Sequence, residues 1–381
     1  ARGLQLQTAR GHRNSGIKRH LATARLCLIS KHVLQTTSKL ATEYGTKDYD
    51  PMIARLITAA TLIFCPLSTL NAACEGRDLR PLLSAAEQAE LQAFHHSTPY
   101  PSGNHWLAEK DQHQINVIGT VHLGDARLGP VFDRLSPVLA AADRIYLEMT
   151  PKEQAQLQRA LSERPELVFL TQGPTLIDLL DPEEWDQLSK AAQARNIPSF
   201  MAAKFQPWYL SVLLSVPPCV LSAMGEGRGL DHLIMGYAAK NGVPLQALEP
   251  YDTIFSLFSS EPIDTQIAMM RAGLLSDQDS ADGLVTLLNS YFDQSHAASW
   301  YLAKLHAKRV SALSNREIEE AFDKLQATLL RQRNLAWMPH IIDTTSTDTI
   351  VVAVGAAHLH GSDGVLAQLK SAGYRLSRQD F

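Results

Sequence analysis

The chain has 381 residues, 45% of them hydrophobic and 19% charged, with a formal net charge of −4. That is globular composition, enough chain for a large core, and nothing in it points to a nucleic-acid partner. The charge is uneven, because residues 1–51 carry many Lys and Arg against only Glu43, Asp48 and Asp50.

That first segment has no sustained apolar period, so it reads as disordered or as upstream read-through. Residues 52–73 follow, with Met52 and Arg55 ahead of an apolar run from Leu56 to Leu67 and the small pair Ala72 and Ala73. This is the layout of a secretory signal peptide, and the run is short of the ~20 residues a spanning helix needs. An organelle transit peptide is the rival reading. Export predicts a periplasmic or secreted protein with no stable membrane span, its mature part covering residues 74–381. Beyond the leader the cysteines are Cys74 and Cys219. They can form one disulfide, remain two free thiols, or leave Cys74 lipidated, and the oxidising compartment favours the disulfide.

Strand-like runs are expected at Ile115 to Thr120, Arg144 to Met149, Ser199 to Ala203, Pro244 to Leu248, Thr349 to Gly355 and Tyr374 to Ser377. Runs such as IVVAVGAAHL are apolar on both faces, as parallel strands covered by helices are. Residues 276–342 lack a strand signal. Leu305, Val310, Leu313, Ile318, Phe322, Leu325, Leu329 and Met338 predict two or three helices with an apolar stripe there. The class is α/β, a mostly parallel central sheet flanked by helices, with a helical insertion before the last strands.

VIGTVHLGD at Val117 to Asp125 returns as AVGAAHLHG at Ala353 to Gly361. Each copy is a strand ending in Gly-x-x-His, and in open α/β sheets ligands bind beyond the carboxyl ends of the strands. Gly119 and Gly355 allow a neighbour or ligand to come close. A single Gly-x-x-His is commonplace, but two at the ends of buried strands predict that His122 and His358 share one rim. Glu148 ends the strand RIYLEMT, and two His with one Glu is a ligand set for a catalytic divalent metal. Asp125 can orient an imidazole or merely form a turn. Asp231 opens a helix, as a cap or a site acid, and Glu249 ends a strand as Glu148 does. No P-loop, Gly-x-Ser-x-Gly elbow or His-Glu-x-x-His motif is present.

GTVH at Gly119 to His122, LGDARL at Leu123 to Leu128, LEMT at Leu147 to Thr150 and GLD at Gly229 to Asp231 carry a family resemblance. So do ALEP at Ala247 to Pro250, RQRN at Arg331 to Asn334, VGAAHLHGSDGVLAQLKSAGY at Val354 to Tyr374, and the segments CEGRDL at Cys74 and PPC at Cys219. The chain resembles the TraB/GumN family, exported bacterial branch, which is similar to the Tiki metalloproteases and more distantly to the erythromycin-esterase and ChaN haem-binding folds (EreA/ChaN-like). The resemblance implies that His122 and His358 bind a divalent metal such as Mn, Co or Zn, with Glu148 as the essential acid. It matches Arg333 and Asn334 to a family Arg-Asn pair, Arg333 being placed to bind a carboxylate or steady an oxyanion. His360, two residues past His358, reads as an exposed turn residue, and the carboxy-terminal membrane anchor of the Tiki branch is missing.

The expected function is an exported metal-dependent hydrolase, a peptidase, acting on a peptide or small-molecule substrate. The alternatives on the same fold are a non-catalytic haem- or ligand-binding protein and an inhibitor of a peptide signal. Substrate, metal identity and oligomeric state are not legible.

Overall fold

Residues 74–221, 229–259, 261–311, 313–342 and 348–381 are described by the computed structural model. The basic segment and the expected signal peptide, residues 1–73, lie outside them. Six strands form one sheet: β1 (His105–Lys110), β2 (His113–Thr120), β3 (Arg144–Leu147), β4 (Leu245–Ala247), β5 (Thr349–Gly355) and β6 (Arg375–Arg378), in the order β4-β3-β5-β2-β1-β6. The four strands β4, β3, β5 and β2 run parallel, and β1 is antiparallel to both β2 and β6.

The two-sided apolar strands divide their side chains by strict alternation. On one face Ile118, Ile145, Leu147, Val351 and Ala353 pack against helices α2 (Leu128–Ala140) and α6 (Leu230–Asn241). On the other, Ile115, Val117, Tyr146, Ile350, Val352 and Val354 pack against α12 (Gln332–Ile342) and α13 (Val365–Ser371). Helix α1 (Ala85–Ser97) precedes the sheet, and α3 (Pro151–Glu163) follows β3 behind a capping box of Thr150 and Glu153. A third apolar cluster joins α4 (Pro182–Gln193), α5 (Pro207–Leu214) and α8 (Ile263–Ala272), with α7 (Thr253–Ser259) beside them.

Two features differ from the sequence expectations. Ser199 to Ala203 is a short helical turn, Ser199–Ala202, preceded by Pro198; it buries Ala202 in the third cluster, with Phe200 73% exposed and, among the described residues, no strand paired with it. Strand β1 was not expected, because Glu109 and Lys110 break its apolar pattern; a two-residue turn pairs Lys110 with His113 and ties it to β2. Among the described residues the insertion holds α9 (Asp277–Phe292), α10 (His296–Val310) and one continuous helical run, in which α11 (Asn315–Leu325) passes through π-helical turns at Gln326–Arg331 into α12; the expected apolar stripe lies on α10 and this run.

Among the described residues, no helix is long and apolar enough to cross a membrane. Cys74 and Cys219 form a disulfide with their Cα atoms 5.4 Å apart, closing 145 residues of chain. The segment after Cys74 is also held by Asp282, which accepts from the Arg77 amide at 2.7 Å, and by Thr286, whose Oγ1 accepts from Leu79 N at 2.9 Å. Because so long a loop is closed, replacing both cysteines with serine should cost on the order of 3–5 kcal/mol. Calorimetry should show a melting point several degrees lower; an unchanged melting point would mean the polar contacts alone hold this end.

Candidate functional site

The carboxyl ends of β2, β3, β4 and β5 deliver His122, Glu148, Glu249 and His358 to one rim. Parallel pairing of β2 with β5, Gly119 opposite Val354 and Thr120 opposite Gly355, sets the two Gly-x-x-His motifs side by side, one residue out of step. Gly355 is the floor. A Cβ there would stand 3.3 Å from Glu148 Oε1, 3.6 Å from His358 Cδ2 and 3.9 Å from His122 Nε2. All three side chains therefore border the space that the missing methyl leaves open, and the two rings are within reach of a single ligand.

Each ring is oriented by a partner on a helix. His358, buried, has Nδ1 2.6 Å from Asn334 Oδ1, while Asn334 Nδ2 donates to the carbonyls of His358 and Asp363 at 3.3 and 2.9 Å. The amide is thus an acceptor toward the ring, the proton sits on Nδ1, and Nε2 offers its lone pair. Burial pushes the His358 imidazole down to about 3, so it is neutral at physiological pH. His122 has 62% of its side chain exposed, and its Nδ1 faces Asp231 Oδ2 at 3.3 Å. Asp231 raises the protonation of that ring, burial opposes it and Glu148 adds to it, while solvent on the open side screens the effect. Helix α6 brings Asp231 there because Gly229 lets its amino end lie against the backbone of His122; a Cβ on Gly229 would meet Val121 O at 2.3 Å.

Arg333 organises the carboxylates. Its Nη2 donates to Glu148 Oε2 at 2.6 Å and to Glu249 Oε1 at 2.7 Å, Nε donates to Glu249 Oε2 at 2.9 Å, and Nη1 donates toward His358 Nε2 at 3.3 Å. Burial disfavours the guanidinium's charge, but the two carboxylates hold it firmly protonated. For Glu148 burial favours the neutral acid, and the charges of His358 when protonated, Arg333 and His122, with the Gly355 N–H donating to Oε1 at 2.8 Å, more than reverse this. Glu148 is an ionised carboxylate with one oxygen tied to Arg333 and the other at the Gly355 floor.

Trp337 belongs to this group although sequence reasoning passed over it. Its Nε1 donates to Glu249 Oε2 at 3.2 Å, its ring lies 4.4 Å from that of His358, and Arg333 stacks over it at 4.9 Å. The signal was present, since a residue four beyond Arg333 on a helix shares its face. Tyr291 was also missed; its hydroxyl donates to Gly119 O at 3.0 Å.

One open alternative is decided and one expectation is corrected. Asp125 is a turn former: its carboxylate accepts from the Arg127 amide, Nε and Nη2 at 2.7 to 3.0 Å, and Asp231 is the acid beside His122. His360 is buried rather than exposed, because α10 covers the loop after β5 and sets the His296 ring 5.5 Å from it. Its Nδ1 has no hydrogen-bond partner among the described residues.

Two imidazoles and an ionised carboxylate are donor types that a divalent ion takes, and each Nδ1 faces an acceptor, Asn334 Oδ1 or Asp231 Oδ2; His122, its protonation raised by Asp231, would have to release a proton to bind. Among the described residues no three His, Cys, Asp or Glu side chains already close on a common point. Taking up an ion would require His358 Nε2 to exchange its Arg333 contact for the metal.

The fold and rim together define an α/β protein in which paired Gly-x-x-His motifs surround an arginine-clamped carboxylate pair at the carboxyl ends of the parallel strands. The chain belongs to the TraB/PrgY/gumN family, whose model matches residues 104–378. It is similar to the uncharacterized protein YbaP of Escherichia coli strain K12, 23% identical over 279 residues that cover 70% of this chain and 94% of that one. It is likewise similar to the uncharacterized protein YbaP of Shigella flexneri, 23% identical over 260 residues that cover 67% and 86% of the two chains.

Proposed function

We propose that the chain is an exported metal-dependent hydrolase, a peptidase, whose reacting centre is the space over Gly355. The observation that carries this reading is the convergence of His122, His358 and Glu148 on that one space. His122 and His358 would hold the ion through Nε2, with Glu148 as third ligand or as base. A bound divalent ion polarises a water or the scissile carbonyl.

The rest is done by the chain's own groups. Asn334 and Asp231 fix the two rings so that each presents Nε2 to the space, which lowers the cost of ordering them on binding. Glu148 is ionised, the form that both a ligand and a base need, but the charges around it lower its basicity, so it would take a proton from water only once the Arg333 clamp loosens. Arg333 keeps that carboxylate ionised and brings a positive charge to the rim, where an oxyanion would develop. The open face of His122 is the side from which substrate enters. The Cys74–Cys219 bond supports export, since such bonds persist in oxidising compartments. A haem reading is less well supported, because these imidazoles open on charged groups rather than an apolar pocket.

The test is turnover of a peptide library by the purified chain. Chelation should abolish cleavage, and added Mn, Co or Zn should restore it. Glu148→Gln should remove at least ~100-fold of the rate, the scale of a lost general base, with metal retained if Glu148 is the base and released if it is a ligand. No cleavage with any of the three metals would overturn the peptidase reading.

A further inference from the structure

One residue beyond His122, Leu123 lines a second feature that the rim chemistry does not use: a cavity of about 510 Å³ between α9, α10 and α11, reaching Val216, Pro217 and Val220 next to the disulfide. That volume lies within the ~300–1,000 Å³ range of small-ligand sites. Leu284, Leu287, Leu302, Met269 and Phe322 make its wall, and Leu287, 41% exposed, stands at its mouth. Two of the polar groups around it are engaged within the chain: His306 Nε2 lies 3.0 Å from the Asp279 carbonyl, and Thr286 Oγ1 donates to Asp282 O at 2.7 Å. Most of the wall is aliphatic or aromatic, with Ser280, Ser299 and His306 as scattered polar points.

The cavity is also sterically fillable. A Cβ on Gly283, in the middle of α9, would have a single neighbour within 4 Å, His306 Cδ2 at 3.7 Å. Glycine there weakens the helix relative to alanine, and its small size leaves the space open. Helix α9 also carries Tyr291, bonded to Gly119 at the base of the first Gly-x-x-His motif. One element therefore serves as cavity wall and as support for the site.

We infer that this cavity receives an uncharged aliphatic group of the molecule handled at the His122–His358 site, which makes that molecule an apolar one. The inference rests on the site assignment above for the identity of the molecule, and on the cavity alone for the binding of an aliphatic group. Such a group could be a branched peptide side chain or an acyl chain, and burying either here is favoured by roughly 25 cal/mol per Å² of apolar surface removed from water.

The experiment measures binding of the apolar fluorophore N-phenyl-1-naphthylamine to the full chain, wild type against Gly283→Leu, with Gly283→Ala as the control for helix propensity. The expected result is saturable binding by wild type and Gly283→Ala and at least a tenfold loss in Gly283→Leu, with thermal unfolding still cooperative in all three. N-acetyl-leucyl-leucinamide and 1-decanol compete in separate arms; displacement by either supports the cavity and identifies the source. Absence of probe binding by wild type, equal binding by folded Gly283→Leu, or displacement by neither competitor overturns the inference. If probe binding follows this pattern while no peptide is cleaved, the cavity stands and the peptidase reading fails.

Discussion

Arg333→Met should destabilise the fold by about 3–5 kcal/mol, the cost of removing one partner from a buried ion-paired group. The guanidinium, Glu148 and Glu249 have side chains only 14%, 16% and 12% exposed, and Arg333 donates to both carboxylates. Without it, two like charges share a dehydrated pocket where, among the described residues, Trp337 Nε1 and the Gly355 amide still donate to them. One of them would have to take up a proton, and Glu148, whose ionisation depends in part on Arg333, is the expected one. Urea unfolding should show the midpoint fall, and adding Glu249→Gln to Arg333→Met should recover part of the loss by removing the repulsion. Arg333→Lys should rescue poorly, because a single ammonium cannot reproduce the two-sided fork. A midpoint within ~0.5 kcal/mol of wild type would mean that the clamp is no structural element.

Much of this arrangement could be read from the chain before any coordinates. The apolar runs around Ile118 and Val352 announce two-sided strands, and two such strands each ending in Gly-x-x-His are enough to place His122 and His358 on one rim. What escaped was whatever depends on tertiary neighbours. Strand β1 gains its place from pairing, through β2 on one side and β6 on the other, rather than from its own half-charged pattern. Asp125 lies three residues from His122 and invited the role of its partner, yet Arg127 claims it locally; Asp231, more than a hundred residues away, arrives because Gly229 lets α6 meet the end of β2. His360 looked exposed because a short polar loop follows it, and only the packing of α10 buries it. The apolar cavity is a property of three helices whose separate stripes resemble any other core face.

The central claim is that the repeated motif exists because each copy supplies one imidazole to a single site. His122 is open to solvent and contributes little packing, so His122→Ala should leave stability nearly unchanged. His358 is buried against Trp337 and Asn334, so His358→Gln is the gentler replacement there. One imidazole cannot define the geometry of a divalent ion, and groups acting as a unit do not contribute additively. The direct measurement is calorimetric titration of the metal-free chain with Mn²⁺ and Zn²⁺, in wild type, the two single variants and the double variant. The account predicts one tight site per chain, weakened at least ~100-fold by either single change, with the double variant no worse than the singles. Wild-type affinity in either folded single variant, or two independent sites lost one at a time, would contradict it.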